Sequence, residues 1–290
     1  MHFLRLIPFL LLLLATQQAS AQVDPVASQV VQEFIANSGG ESVWNKVRTC
    51  FARAYVENWD TTATYADRSA GDTTAYWSSA YYKFPKKFLT YTQYPEGAAK
   101  ENILSGSDGQ VFWMGTEDSV EHIVPGVEAM IADRSVSHNR AFYLLKHLQT
   151  ERPLQAGGIK EVEGRKYRVI DVFEYSSKEE YWFDQQTGLL SDIVNEDYNR
   201  RTHFSDYRWV EVEEGAVLVA FRTDFYKYGN HVSRTLRSHV VFNRSMTGSW
   251  FSPEEPETFK NRHFFFETSL GIAPSPKTNS LFERTPKPGN

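Results

Sequence analysis

Few side chains in this 290-residue chain have the type and spacing to carry chemistry. Metal or acid–base work needs histidines that converge. Beyond the N-terminal segment there are His122, His138, His147, His203, His231, His239 and His263, none in His-Glu-x-x-His spacing. His231 and His239 fall on one face of one strand but far apart along it, so the pattern reads as exposed or singly satisfied histidine. No metal is expected. Cys50 is the only cysteine and has no motif around it that marks a nucleophile, and Gly-x-Ser-x-Gly is absent. It opens a strand beside Phe51 and reads as a small buried hydrophobe. The acidic pairs Glu179-Glu180, Glu213-Glu214 and Glu254-Glu255 sit in turns or tail-like sequence, where solvated charge rather than a general acid/base pair is expected. Gly157-Gly158 lacks the strand–helix context of a phosphate loop. The chain therefore reads as a non-enzyme, with no catalytic residue and no cofactor.

What remains is apolar surface. Aromatic residues make up 14% of the chain, and in a strand-rich protein they imply wide apolar sheet faces. Trp77, Phe88, Tyr91, Phe112, Trp113, Met114, Phe142, Leu145, Trp182 and Phe225 are the candidate lining of an apolar ligand cavity. Tyr81, Phe84, Phe221 and Tyr226 belong to the same set. Ordinary core absorbs the same residues equally well, and the two readings stay open.

These side chains need a sheet to hold them. Tyr181-Trp182-Phe183-Asp184-Gln185-Gln186-Thr187-Gly188-Leu189-Leu190 holds a strand, a turn and the start of a second strand. Its aromatics suit a pleated surface, Asp184 supplies local hydrogen bonding, and Gly188 takes positive φ. Around it, strands are expected at Cys50–Asn58, Thr73–Lys83, Phe88–Tyr94, Glu101–Gly106, Gln110–Gly115, Lys166–Tyr175, Glu180–Asp184, Leu189–Val194, Thr202–Val212, Ala216–Tyr228 and His231–Asn243. Asp108-Gly109 and Gly229-Asn230 are tight hairpin turns, and such short connections make neighbouring strands antiparallel. Helical periodicity appears at Val26–Asn37, ended by Gly39-Gly40, and then at Glu41–Val47, Pro125–Ala132 and His138–Gln149. On the last of these Phe142, Leu145 and Leu148 share a face.

Arg5, the apolar run Phe9–Ala15 and Ala19-Ser20-Ala21 form a secretory signal peptide over residues 1–21. That run is too short for a permanent membrane span, no later segment is long enough, and no cysteine follows the cleavage site to carry a lipid. The mature chain is expected to be periplasmic or extracellular. With one cysteine it has no intramolecular disulfide, so packing must stabilise it. A net charge of −5 and a pI near 5.9 leave no basic footprint for nucleic acid. The expected organisation is a signal peptide at 1–21, one β domain at 22–266 and a Pro-rich tail at 267–290.

The order of four motifs resembles the LolA/LolB-like family, the outer membrane lipoprotein-sorting protein-like periplasmic carriers. They are Gly39-Gly40-Glu41-Ser42-Val43-Trp44-Asn45-Lys46-Val47 after a leading helix, Lys83-Phe84-Pro85-Lys86-Lys87-Phe88, Asp108-Gly109-Gln110-Val111-Phe112-Trp113, and Tyr181–Leu190. The resemblance covers nearly all of Val26–Asn243. It implies a mostly β (α+β) protein whose single antiparallel sheet curls into an incomplete barrel, with N-terminal and central helices over the open side and a concave interior that receives acyl chains. The implied function is a non-enzymatic lipid or lipoprotein carrier or sensor of the bacterial periplasm, with a lipid or lipidated protein as partner. The alternative is an envelope protein-interaction module whose sheet is solidly packed, engaging a protein partner through a strand edge or the tail.

Overall fold

The computed structural model describes residues 23–59, 73–95, 98, 100–116, 119–125, 140–150, 152–174, 177–252 and 256–272. The proposed signal peptide, the helix expected at Pro125–Ala132 apart from Pro125, which ends a strand, and the last residues of the Pro-rich tail lie outside them.

Thirteen strands form one antiparallel sheet. In chain order they are β1 (Thr49–Trp59), β2 (Thr73–Lys83), β3 (Lys87–Gln93), β4 (Ile103–Ser107), β5 (Val111–Gly115), β6 (Val120–Pro125), β7 (Leu154–Val162), β8 (Arg165–Glu174), β9 (Ser177–Asp184), β10 (Leu190–Asn195), β11 (Arg200–Val212), β12 (Gly215–Lys227) and β13 (Asn230–Phe242). The chain walks outward from β1 to one edge at β6, crosses to the opposite edge at β7, and walks back so that β13 pairs with β1 in the middle. Two meanders are thus joined by their first and last strands, and the curled sheet does not close into a barrel.

Local chemistry fixes the turns. At Tyr181–Leu190 the Asp184 carboxylate accepts from the amides of Gln186 and Thr187 at 3.0 and 2.8 Å. Gly188 follows at φ +68°, where a Cβ would stand 2.4 Å from the Asn37 amide nitrogen, so the turn admits only glycine without displacing that side chain.

Helix α1 (Pro25–Asn37) starts at Asp24, whose carboxylate caps Val26 N at 2.7 Å. It ends into Gly39, held at φ +122° with its backbone against β12; a Cβ there would lie 2.5 Å from the Ala216 carbonyl oxygen. Helix α2 (Glu41–Trp44) buries Trp44, whose indole donates to the Ser38 carbonyl at 3.1 Å. Helix α3 (Arg140–Gln149) lies between the meanders in sequence. These three helices bury Val30, Phe34, Trp44, Leu144 and Leu145 against Tyr82, Phe88, Tyr181, Phe183 and Phe242, which defines the inner face of the sheet.

The outer face is covered too. A 3₁₀ turn (Gly248–Phe251) and helix α4 (Pro256–Ser269) bury Phe251, Phe259 and Ile272 against Phe51, Tyr81, Leu89, Tyr91, Leu104 and Trp113. Helix α4 is anchored by Glu267, which takes a hydrogen bond from Arg53 Nη1 at 2.5 Å and from Ser79 Oγ at 2.9 Å. Tyr81 Oη pairs with His263 Nδ1 at 2.5 Å beside it. The boundary expected at 266 is therefore corrected: Glu267 and Ile272 are buried, and the folded part runs at least to Ile272. Proline-flanked sequence here starts a helix at Pro256, a position where a missing N–H costs nothing.

Candidate functional site

The sheet leaves an apolar hollow on its inner face. Cys50, Ala52, Ala54 and Val56 of β1, Ser78, Ala80 and Tyr82 of β2, Phe84 just after β2, Thr90 of β3, Val219 and Thr223 of β12, and Thr235, Arg237, Val240 and Phe242 of β13 line a cavity of about 300 Å³. The origin of this space is in the register. Ala52 faces Ala80, and Ala54 faces Ser78, across the β1–β2 pair. Directly opposed side chains on one face are neighbours, so four small residues in a square leave a hollow where larger residues would meet.

The lining is mostly apolar, with hydroxyls at Ser78, Thr90, Thr223 and Thr235 and one full charge at Arg237. This arginine sits opposite Ala54 on β13. Its Nη1 donates to the Ala220 carbonyl at 2.8 Å and to Thr223 Oγ1 at 3.2 Å. Burial holds its guanidinium pKa below the usual arginine value, opposed by Tyr82, Cys50 and Tyr207. Burial also pushes the Cys50 thiol up to about 12, which keeps it a protonated apolar side chain and no nucleophile. Burial raises the Tyr82 and Tyr207 phenols in the same way. Among the described residues, no acid–base pair lines this space. Among the described residues, no three His, Cys, Asp or Glu side chains are grouped to hold a metal ion. Such a lining suits the desolvation of apolar surface.

None of the ten side chains expected to line a cavity lines this one, and the pleat explains most of the displacement. Phe112, Trp113 and Met114 are consecutive on β5 and cannot share a face. Phe112 packs on the inner core, Trp113 is buried on the outer face with its indole donating to Phe251 O at 2.9 Å, and Met114 is exposed. Tyr91 belongs to the outer cluster, while Phe88 and Leu145 are inner core. Trp77 lies under the Arg53 guanidinium, 4.9 Å from its ring centre. Trp182 stands on the face opposite Tyr181 and Phe183, with Lys160 4.9 Å from its ring centre and its indole on Glu180, so it enters neither core nor cavity. Phe225 is half-buried on β12, two positions beyond Thr223. Phe142 comes nearest: it stacks at 4.6 Å on Phe84, which is a cavity wall. The sequence signal for this hollow is the alternation of small residues in Ala52-x-Ala54 and Ser78-x-Ala80.

No protein-family model and no curated protein sequence matches this chain. Solved structures do match. An outer membrane lipoprotein-sorting protein domain from Vibrio parahaemolyticus superposes with a TM-score of 0.52 at 13% identity, over 79% of this chain and 97% of that one. A DUF1329 family protein from Desulfovibrio piger matches at 0.50 and 13%, over 79% and 98%. A LolA superfamily protein from Nitrosomonas europaea matches at 0.50 and 11%, over 78% and 97%. Identity this low speaks for architecture alone. The curled sheet, its covering helices and these superpositions together establish that the chain has the LolA-like fold.

Proposed function

We propose that this protein is an exported, non-enzymatic carrier or sensor of lipid-like ligands that works in the bacterial periplasm and buries an acyl chain against the inner face of its sheet. The observation that carries this reading is the cavity of about 300 Å³ floored by Ala52, Ala54, Ser78 and Ala80. That volume lies at the small end of the range for ligand sites, about 300–1,000 Å³, and suits one chain rather than several. The Vibrio domain of the same architecture is described as a lipoprotein-sorting domain, which supports a lipidated cargo as one source of the chain. Export rests on the N-terminal sequence pattern; among the described residues no helix is long and apolar enough to cross a membrane.

Binding would come from burial of methylenes at about 0.8 kcal/mol each, so affinity should climb roughly fourfold per carbon until the space is full. Native mass spectrometry and lipid extraction after mild purification test this. Co-purifying lipid, or uptake of fatty acyl probes with chain-length dependence, is the expected result. Protein that arrives empty and ignores such probes overturns the reading. A solidly packed inner face would instead have favoured the protein-interaction alternative.

A further inference from the structure

Arg237 is the one full charge in the cavity wall, and its local chemistry is incomplete. Arginine stays protonated in proteins and carries five donors in a planar fork. Among the described residues its bonds run from Nη1, to the Ala220 carbonyl and Thr223 Oγ1; both are neutral acceptors. Among the described residues no Asp or Glu forms an ion pair with Arg237. Nearby charge clusters do contain both signs: Arg222 and Arg234 meet Asp224, with Glu57 also on Arg234, and on β10 and β11 Asp192 is met by Arg201. A half-buried cation left without a counter-ion is costly, and Arg237 lines a space whose other walls are alanines, valines, Cys50, Tyr82, Phe84, Phe242, Ser78 and three threonines, with no anion among them.

We infer that the cavity takes a single-chain amphiphile with an oxyanion head, the head seated on Arg237 with Thr223 and Thr235 beside it, and the chain laid over Ala54, Ala52 and Ala80. This rests on the lipid-binding reading above and adds the headgroup to it. Carboxylate and phosphate both match the guanidinium fork, so a free fatty acid and a single-chain phospholipid share the chemistry.

The test is isothermal titration calorimetry of the full-length mature chain with decanoate, decyl phosphate, 1-decanol and decyltrimethylammonium. On the native protein, decanoate or decyl phosphate should bind at least tenfold more tightly than decanol, with the cation weakest; the tighter of the two anions identifies the head. In Arg237→Gln that preference should collapse to within about twofold while decanol binding stays as it was, and Arg237→Lys should restore part of it. The comparison on the native chain needs no variant, so a folding defect in Arg237→Gln leaves the proposal exposed to refutation. Equal binding of anion, alcohol and cation, or an anion preference that survives in a folded Arg237→Gln, overturns the headgroup assignment and leaves the carrier reading standing. Absence of binding by all four probes overturns both.

Discussion

Helix α4 is held to the outer face of the sheet by an ion pair whose partners are both almost fully buried, Arg53 at 2% and Glu267 at 6% exposure. Removing one partner of such a pair typically costs about 3–5 kcal/mol, because it strands the other charge. At about 2–4 °C per kcal/mol for a domain of this size, either single variant should lower Tm by roughly 6–20 °C. The two singles are not equivalent. Glu267→Leu strands a guanidinium that cannot discharge, whereas Arg53→Met strands a carboxyl that can take up a proton. Burial already holds the Glu267 carboxyl above its ordinary value, with Arg53 and Ser79 opposing that rise. A carboxyl whose folded value is raised contributes most below its unfolded value, near 4.5, and that contribution is lost as pH climbs through the folded value. Without Arg53 the folded value rises further, so Arg53→Met should lose less stability at pH 5 than at pH 8. The double variant Arg53→Met/Glu267→Leu should recover most of the loss, since apolar replacement of a buried pair is often neutral. Urea unfolding followed by tryptophan fluorescence, at unchanged m, measures all four corners of the cycle. Singles that cost under about 1 kcal/mol, or a double equal to their sum, would refute the claim that this ion pair docks the helix.

Other perturbations separate cavity from core. Ala80→Phe should fill the inner space at a cost below about 1–3 kcal/mol of stability while cutting decanoate affinity more than tenfold by calorimetry. Trp113→Asp should chiefly unfold the protein, by at least the roughly 3–5 kcal/mol of removing a buried tryptophan, as read by circular dichroism melting. Gly39→Ala should destabilise by about 1–3 kcal/mol, the usual range for enforced backbone strain, because its Cβ would meet the Ala216 carbonyl; thermal unfolding measures it. At Asp192 burial raises the carboxyl pKa, but hydrogen bonds from His203, Arg201 and Ser191 outweigh it and leave it below 3.8. Its stabilisation is present above that value and lost as pH falls below it, so Asp192→Asn should be less stable at neutral pH and show a shallower acid transition.

Most of the meander was legible because its strands alternate and its turns carry their own chemistry. Asp184, Gly188, Asp108 and Gly229 each satisfy a local requirement that no distant residue has to complete. Eleven strands are expected and thirteen are present; the two missed, β6 and β7, are the edges. In β7 almost every side chain is exposed beyond Leu154, so no inward–outward pattern exists to read, and Gly157-Gly158 looks like a turn. Pairing of β1 with β13 joins segments nearly two hundred residues apart and leaves no local trace. The candidate lining residues do not coincide with the hollow for a related reason: spacing along the chain does not say which of two covered faces an aromatic fills, and helix α4 gives Phe51, Tyr81, Tyr91 and Trp113 a second face.

That second core bears on the cavity itself. At about 24 cal/mol per Å³, a sealed void of this size would cost on the order of 7 kcal/mol relative to a filled interior, and even a fraction of that is large against a total stability of about 5–15 kcal/mol. Replacing Ala52, Ala54 or Ala80 by valine or leucine would remove the deficit without disturbing the strand register. The outer face shows what the same strands do when packing alone is at stake: Phe51 meets Tyr81 at 5.0 Å and Phe266 at 5.3 Å. One sheet thus carries two solutions in the same strand: β1 puts the large Phe51, Arg53 and Tyr55 at odd positions and the small Cys50, Ala52 and Ala54 at even ones, with Ala80 and Ser78 of β2 opposite Ala52 and Ala54. Stability explains the first set. The second set makes sense for a protein whose inner face is completed by something other than its own side chains.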